Sequence, residues 1–361
     1  MNSPNRRQFL RSSSTCLAGA AIPTLLIPRR TDPLFRKETI IGEGDFRYRV
    51  EHDWAQLPAQ FRWQTTHNVA VDSNNNLYVI HEGRSQQKSH PSIFVFGPDG
   101  KFRYAFGSQF QGGGHGIEVR KEGNEEFLYV AAYQQVKSFA KLTLMGEIVW
   151  YQKAPVESGV YDDGEDVSTK RNWSRKGFLP TNFAFLDDGG FLLADGYGSF
   201  FIHRFDKDAN WVSCFGGAGE GEGTFKTSHG LWVDNRPGKE PAIVVTDRAH
   251  NTLQIFDIDG KYQSTISGFG LPANIDTYQN LMLVPELKAR LTLMDENNQV
   301  IARLGAASER LDEVKNLRGQ PDKWLDGQFV HPHDACFDQA GDIFVAEWVQ
   351  TGRVSKLTQI S

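Results

Sequence analysis

The chain has 361 residues, 39% hydrophobic and 12% aromatic, with 35 Gly and 15 Pro; this turn-rich globular composition suits one large repeat domain. Its net charge is −5, and it has no basic stripe interleaved with aromatics, so nucleic acid is excluded as the expected partner. No apolar run reaches the roughly 20 residues that span a bilayer, which excludes a membrane span.

In chain order, the first element is an address. Asn5-Arg6-Arg7-Gln8-Phe9-Leu10-Arg11 precedes an apolar stretch over 16–27. Residues 1–30 therefore resemble a twin-arginine signal peptide, read by the Tat export machinery and implying a periplasmic or extracellular destination. Cys16 falls inside it. Cys214 and Cys336 remain, too few for a disulfide scaffold, and both are expected to be buried thiols.

The alternating segment Phe46-Arg47-Tyr48-Arg49-Val50 reads as a strand. Six stretches then repeat one pattern: THNVAVD (66–72), GHGIEVR (114–120), TNFAFLD (181–187), SHGLWVD (228–234), ANIDTYQ (273–279) and PHDACFD (332–338). Each is followed by a turn and a strand rich in β-branched and aromatic residues, such as NNNLYVI, GGFLLAD, EPAIVVTD and GDIFVAE. A third strand and often a fourth come next. Short strands between Gly, Asp and Asn turns, at a period near ~45 residues, are the signature of propeller blades. The expected fold is all-β, a six-bladed β-propeller over 44–361. Its last repeat ends after three strands at Lys356-Leu357, so the N-terminal strand is expected to complete blade six and close the ring. Two polar inserts, 157–177 and 306–328, are candidate rims of a functional entrance.

Each repeat places a His or Asn at one phase: His67, His115, Asn182, His229, Asn274 and His333. In a closed ring these six side chains meet at the axis. Histidine stands in alternate blades two, four and six, a set suited to zinc with a position left open for water or substrate. His67 adds a fourth nitrogen in the same layer, and His331 could approach from the rim. Asp195, Asp247 and Glu347 end second strands and are expected to cap the following turns; His250 is read as a turn residue. Tyr197 and Arg248 follow such strand ends and could lean over the channel mouth.

These residues carry a resemblance. The blades resemble NHL-type repeats, and the order of motifs is similar to the lyase domain of peptidyl-α-hydroxyglycine α-amidating lyase, over about residues 60–358. The resemblance implies zinc on His115 (GGGHGI), His229 (TSHGLW) and His333 (HPHDAC), a catalytic Tyr197 (ADGYGS) and Arg248 (TDRAHN). It also implies a structural calcium on Asp334 with the carbonyls of Val69 and Ile117. The chain departs from that pattern at Glu82, where the family has an arginine for the substrate carboxylate; Arg84 is the nearest substitute. His331 stands in place of a methionine, and His67 is additional. The implied function is that of an exported zinc-dependent lyase-like enzyme, cleaving a C–N bond at a hydroxylated carbon of a peptide or small-molecule substrate. The rival reading is a non-catalytic NHL propeller that binds a partner. A lactonase, relying on Glu, Asp and Asn calcium ligands, suits a histidine ring less well.

Overall fold

Strands this short bury both faces only by stacking sheet against sheet, and the chain does so six times. The computed structural model describes residues 38–360, apart from 85 and 88; the twin-arginine motif lies outside the described residues. Six antiparallel sheets follow one another in sequence, five of four strands and one of five. Their first strands are Thr66–Val71, Gly114–Glu122, Phe183–Phe185, Ser228–Asp234, Asp276–Tyr278 and Pro332–Phe337. These coincide with the repeated motifs. The fold is a six-bladed β-propeller.

Blade six closes the ring as expected. Its chain-terminal strands Pro332–Phe337, Ile343–Glu347 and Arg353–Gln359 are joined by Tyr48–Glu51, with Val50 opposite Leu357. Tyr48 and Val50 are buried there, each contributing about 1.5–3 kcal/mol by leaving water. A further strand, Ile40–Ile41, pairs outside it. That strand was not legible, because two residues carry no alternation.

Hairpin chemistry repeats with the blades. Asp72, Asp206, Asp257, Asp295 and Asp338 each use Oδ1 to accept the N–H groups two and four residues on. These Asx turns fix the register of the strands they join. Between blades lie apolar layers such as Tyr129, Phe139, Phe183, Phe191 and Phe205.

The acids ending the second strands reach beyond the turns they were expected to cap. Asp195 does cap its own turn, at Gly198 and Ser199. It also accepts the Leu179 N–H at 2.7 Å, as Asp247 accepts Lys226 at 2.9 Å and Glu347 accepts Val330 at 2.6 Å. Each thus pins the segment that enters its own blade. Glu286 does the same for Gly270, and His81 Nδ1 for Gln64. His250 lies in a short 3-10 turn, paired with Asp247 and Glu220.

The insert over 306–328 holds the one α-helix among the described residues, Ser308–Glu313. The insert over 157–177 is tied to blade two by the buried Lys137–Glu165 pair at 2.6 Å. Cys214 and Cys336 are free and partly buried, which corrects the expectation of buried thiols. No helix among the described residues is long and apolar enough to cross a membrane.

Candidate metal centre and its mouth

In blades one, two, four and six the ladder between the first two strands slips at the histidine. The pairing jumps from Thr66 to Asn68, Gly114 to Gly116, Ser228 to Leu231 and Pro332 to Asp334. A bulged residue leaves the ladder and its side chain is re-aimed, here into the channel. The glycine after the histidine in blades two and four has a steric reason. A Cβ on Gly116 would stand 2.2 Å from the Thr181 carbonyl oxygen, and one on Gly230 2.5 Å from that of Ala273. Those same carbonyls accept from Nδ1 of His115 at 2.9 Å and of His229 at 2.6 Å. His333 Nδ1 likewise donates to the His67 carbonyl at 3.1 Å. With the proton on Nδ1, each Nε2 presents its lone pair to the axis.

The four imidazoles form one cluster. Ring centroids are 4.7 Å apart for His67–His115, 4.9 Å for His115–His229, 4.7 Å for His229–His333 and 4.6 Å for His333–His67. Nε2 of His115 and of His229 are 3.2 Å apart, close to the spacing of two ligands each ~2.0–2.1 Å from one tetrahedral ion. One nitrogen each of His67, His115 and His333 lies within 4.8 Å of those of the other two. Nε2 of His333 and both nitrogens of His67 are buried without a hydrogen-bond partner, a costly state unless something binds them. Burial, aided by the neighbouring imidazoles and Arg248, holds His115, His229 and His333 well below the usual histidine range. Neutral, converging lone pairs on buried rings are donors that could hold a transition-metal ion.

A second ring lies at the mouth. The N–H groups of Glu82, Tyr133, Tyr197, Arg248, Leu287 and Trp348 each donate to the segment entering their own blade, so these six occupy one repeated phase. Tyr197 Oη is 3.0 Å from His229 Nε2, and Arg248 Nη1 donates to Tyr197 Oη at 3.0 Å. The Tyr133 ring is 5.0 Å from His115 and 5.1 Å from Tyr197. Glu82 Oε2 is 3.5 Å from His67 Nε2, and Oε1 accepts from Gln134. Burial alone would raise the Glu82 carboxyl, but these contacts leave it below the usual carboxylate range. Both inserts reach this end. The Trp173 ring is 5.9 Å from Tyr197, and Arg318 covers Trp348 at 3.3 Å.

Further along the same first strands the chemistry changes. Glu118, Asp276, Asp334 and Asn274 line a cavity of about 120 Å³, with no basic side chain among its lining residues. Asn182 bridges Glu118 Oε1 at 3.0 Å and Asn274 Oδ1 at 2.8 Å, and Asn274 donates to Asp334 at 2.6 Å. Burial pushes Asp276 and Asp334 up to about 7 and raises Glu118 well above the usual range.

The predicted residues therefore separate. His67, His115, His229, His333, Tyr197, Arg248 and Glu82 come together at the ring and its mouth. Asn182 and Asn274 belong to the polar chain leading to Asp334. The Val69 amide faces Asp334 through its N–H, at 2.9 Å, and Ile117 is buried opposite Val130. His331 is held on the Leu287 carbonyl at 2.6 Å, beside Trp348. Arg84 is exposed along a groove with Trp63, Gln87 and His90. Sequence reasoning missed Tyr133, Trp173, Arg318, Glu118 and Asp276. For Tyr133 a signal existed, since it shares the phase of Glu82 and Arg248.

The architecture is that of six-bladed propellers whose solved examples include lyases and a lactonase. No protein-family model and no curated protein matches the chain. Virginiamycin B lyase from Staphylococcus aureus superposes with a TM-score of 0.52 at 11% identity, over 87% of this chain and 100% of that one. A gluconolactonase from Xanthomonas campestris gives a TM-score of 0.56 at 12% identity, over 87% and 90%. A luciferin-regenerating enzyme gives 0.54 at 10%, over 87% and 96%. At these identities the likeness is one of fold.

Proposed function

We propose that this chain is an exported, metal-dependent lyase-like enzyme of NHL type, cleaving a C–N bond at a hydroxylated carbon in a peptidyl-hydroxyglycine or related small substrate. The observation that carries it is the placement of Tyr197, whose hydroxyl lies 3.0 Å from both His229 Nε2 and Arg248 Nη1 at the edge of the histidine ring. Zinc is the proposed ion, held by His115, His229 and His333, and would supply Lewis-acid activation of the substrate hydroxyl.

The chain's own residues do the rest. Tyr197 removes the hydroxyl proton as the carbon–nitrogen bond breaks and a carbonyl forms, and the departing nitrogen takes up a proton. Arg248 donates to the phenol oxygen and stabilises the phenolate form that accepts the proton. Tyr133 and Trp173 flank Tyr197 and narrow the water around it. Glu82 sets an anionic wall where the resembling family has a cationic one, favouring substrates without a carboxylate at that point. Calcium is the proposed occupant of the lower cavity, where Asp334, with Glu118 and Asp276, offers hard oxygen donors. The twin-arginine motif at residues 6–7 supports export before or after metal loading. The test is turnover of hydroxyglycine-type substrates by zinc-loaded protein, with Tyr197→Phe as control. Turnover unchanged in that variant would remove Tyr197 from the reaction.

A further inference from the structure

The geometry points to His67 as a fourth imidazole ligand of the metal centre, with Glu82 as its orienting carboxylate. This rests on the proposed metal site and deepens it, since alternate-blade symmetry supplies only the other three histidines. Four observations carry it. His67 is the bulged residue of blade one, as His115, His229 and His333 are of theirs. Its ring is within 4.7 Å of two of them. Both of its nitrogens are fully buried and unpartnered, whereas each of the other three has Nδ1 engaged by a backbone carbonyl. Glu82 Oε2 lies 3.5 Å from its Nε2.

The pattern completes an outer shell. A ligating histidine ordinarily gives its second nitrogen to a carbonyl or carboxylate, which fixes the ring and strengthens the donor. Carbonyls serve three rings here, and Glu82 is placed to serve the fourth. Gln134 holds the other Glu82 oxygen, and Arg171 Nη1 in turn donates to Gln134 Oε1 at 3.0 Å. The carboxylate is thereby tethered from the rim insert. A centre with four neutral imidazoles carries the ion's full charge, and the Glu82 carboxylate offsets part of it. His67 is also the ring with the loosest anchor, so it is the ligand a substrate oxygen displaces.

X-ray absorption on the zinc-loaded, full-length protein tests this without any variant. Four imidazole scatterers are expected; three imidazoles plus a water oxygen would overturn the assignment. Cobalt substitution gives a second readout. His67→Ala is expected to weaken Co2+ binding about 10–100-fold and shift its visible spectrum, with added imidazole restoring the spectrum. Glu82→Gln should shift the spectrum less and weaken binding severalfold. A His67→Ala protein with wild-type affinity and spectrum, beside a His115→Ala protein that has lost the ion, would overturn this inference alone. A wild-type protein that takes up neither metal would overturn it together with the metal-site reading.

Discussion

The two ends of the channel are built from the same strands and reach opposite solutions for buried polarity. At the upper end His115, His229 and His333 each give one nitrogen to the neighbouring blade and turn the other toward the axis, so burial leaves neutral donors facing one point. A few residues further along, Glu118, Asp276 and Asp334 are recessed with amide and backbone donors but no cationic partner in the cavity. Burial there raises the carboxyl groups. The first arrangement favours a borderline-soft ion, the second a hard cation or bound protons. A repeat fold can therefore set two kinds of chemistry on one axis by changing the residue type at successive phases.

Variants can break that contrast from either end. Tyr197→Phe should lower turnover about 10²–10⁴-fold, the range for a lost general base, while leaving zinc content and melting temperature near wild type; steady-state kinetics beside metal analysis checks both. Gly116→Ala should disturb the upper end most. Its Cβ would meet the Thr181 carbonyl that orients His115, costing about 1–3 kcal/mol in stability and weakening zinc in chelator competition. Calcium-dependent stabilisation should persist in that protein.

Asp276→Asn addresses the lower end and has the smallest effect. A carboxyl raised from 3.8 to about 7 in the folded chain contributes stability that is fully present below pH 4 and is lost as pH rises through about 7. Asparagine has no such titration. Without calcium, the variant should gain a few degrees in Tm relative to wild type as pH goes from 4 to 7. Calcium should reverse that difference by stabilising the wild type. A pH-independent difference would mean that Asp276 does not titrate in this window.

Much of this was legible because repetition exposes phase. Six blades, the closing strand at Tyr48–Glu51 and the four histidines followed from positions that recur. Residues without a recurring partner were not legible. Trp173 and Arg318 sit in inserts, and Tyr133 was hidden because Ala132 replaces the acid that marks the strand end in most blades. Arg84 was misplaced because it lies two residues beyond Glu82, where the chain has already turned toward solvent. His331 precedes the blade-six strand, and the Leu287 carbonyl holds its ring. Asp276 and Glu118 were overlooked because each occurs at its phase in a single blade.

The central claim is that the histidine ring holds one transition-metal ion, and metal content by mass spectrometry tests it most directly. The full-length protein should carry near one zinc per chain, and the His115/His229/His333→Ala protein none, with its β-sheet circular dichroism retained. No transition metal in either protein would contradict the account and leave the ring as a hydrogen-bonded hub or a partner-binding surface.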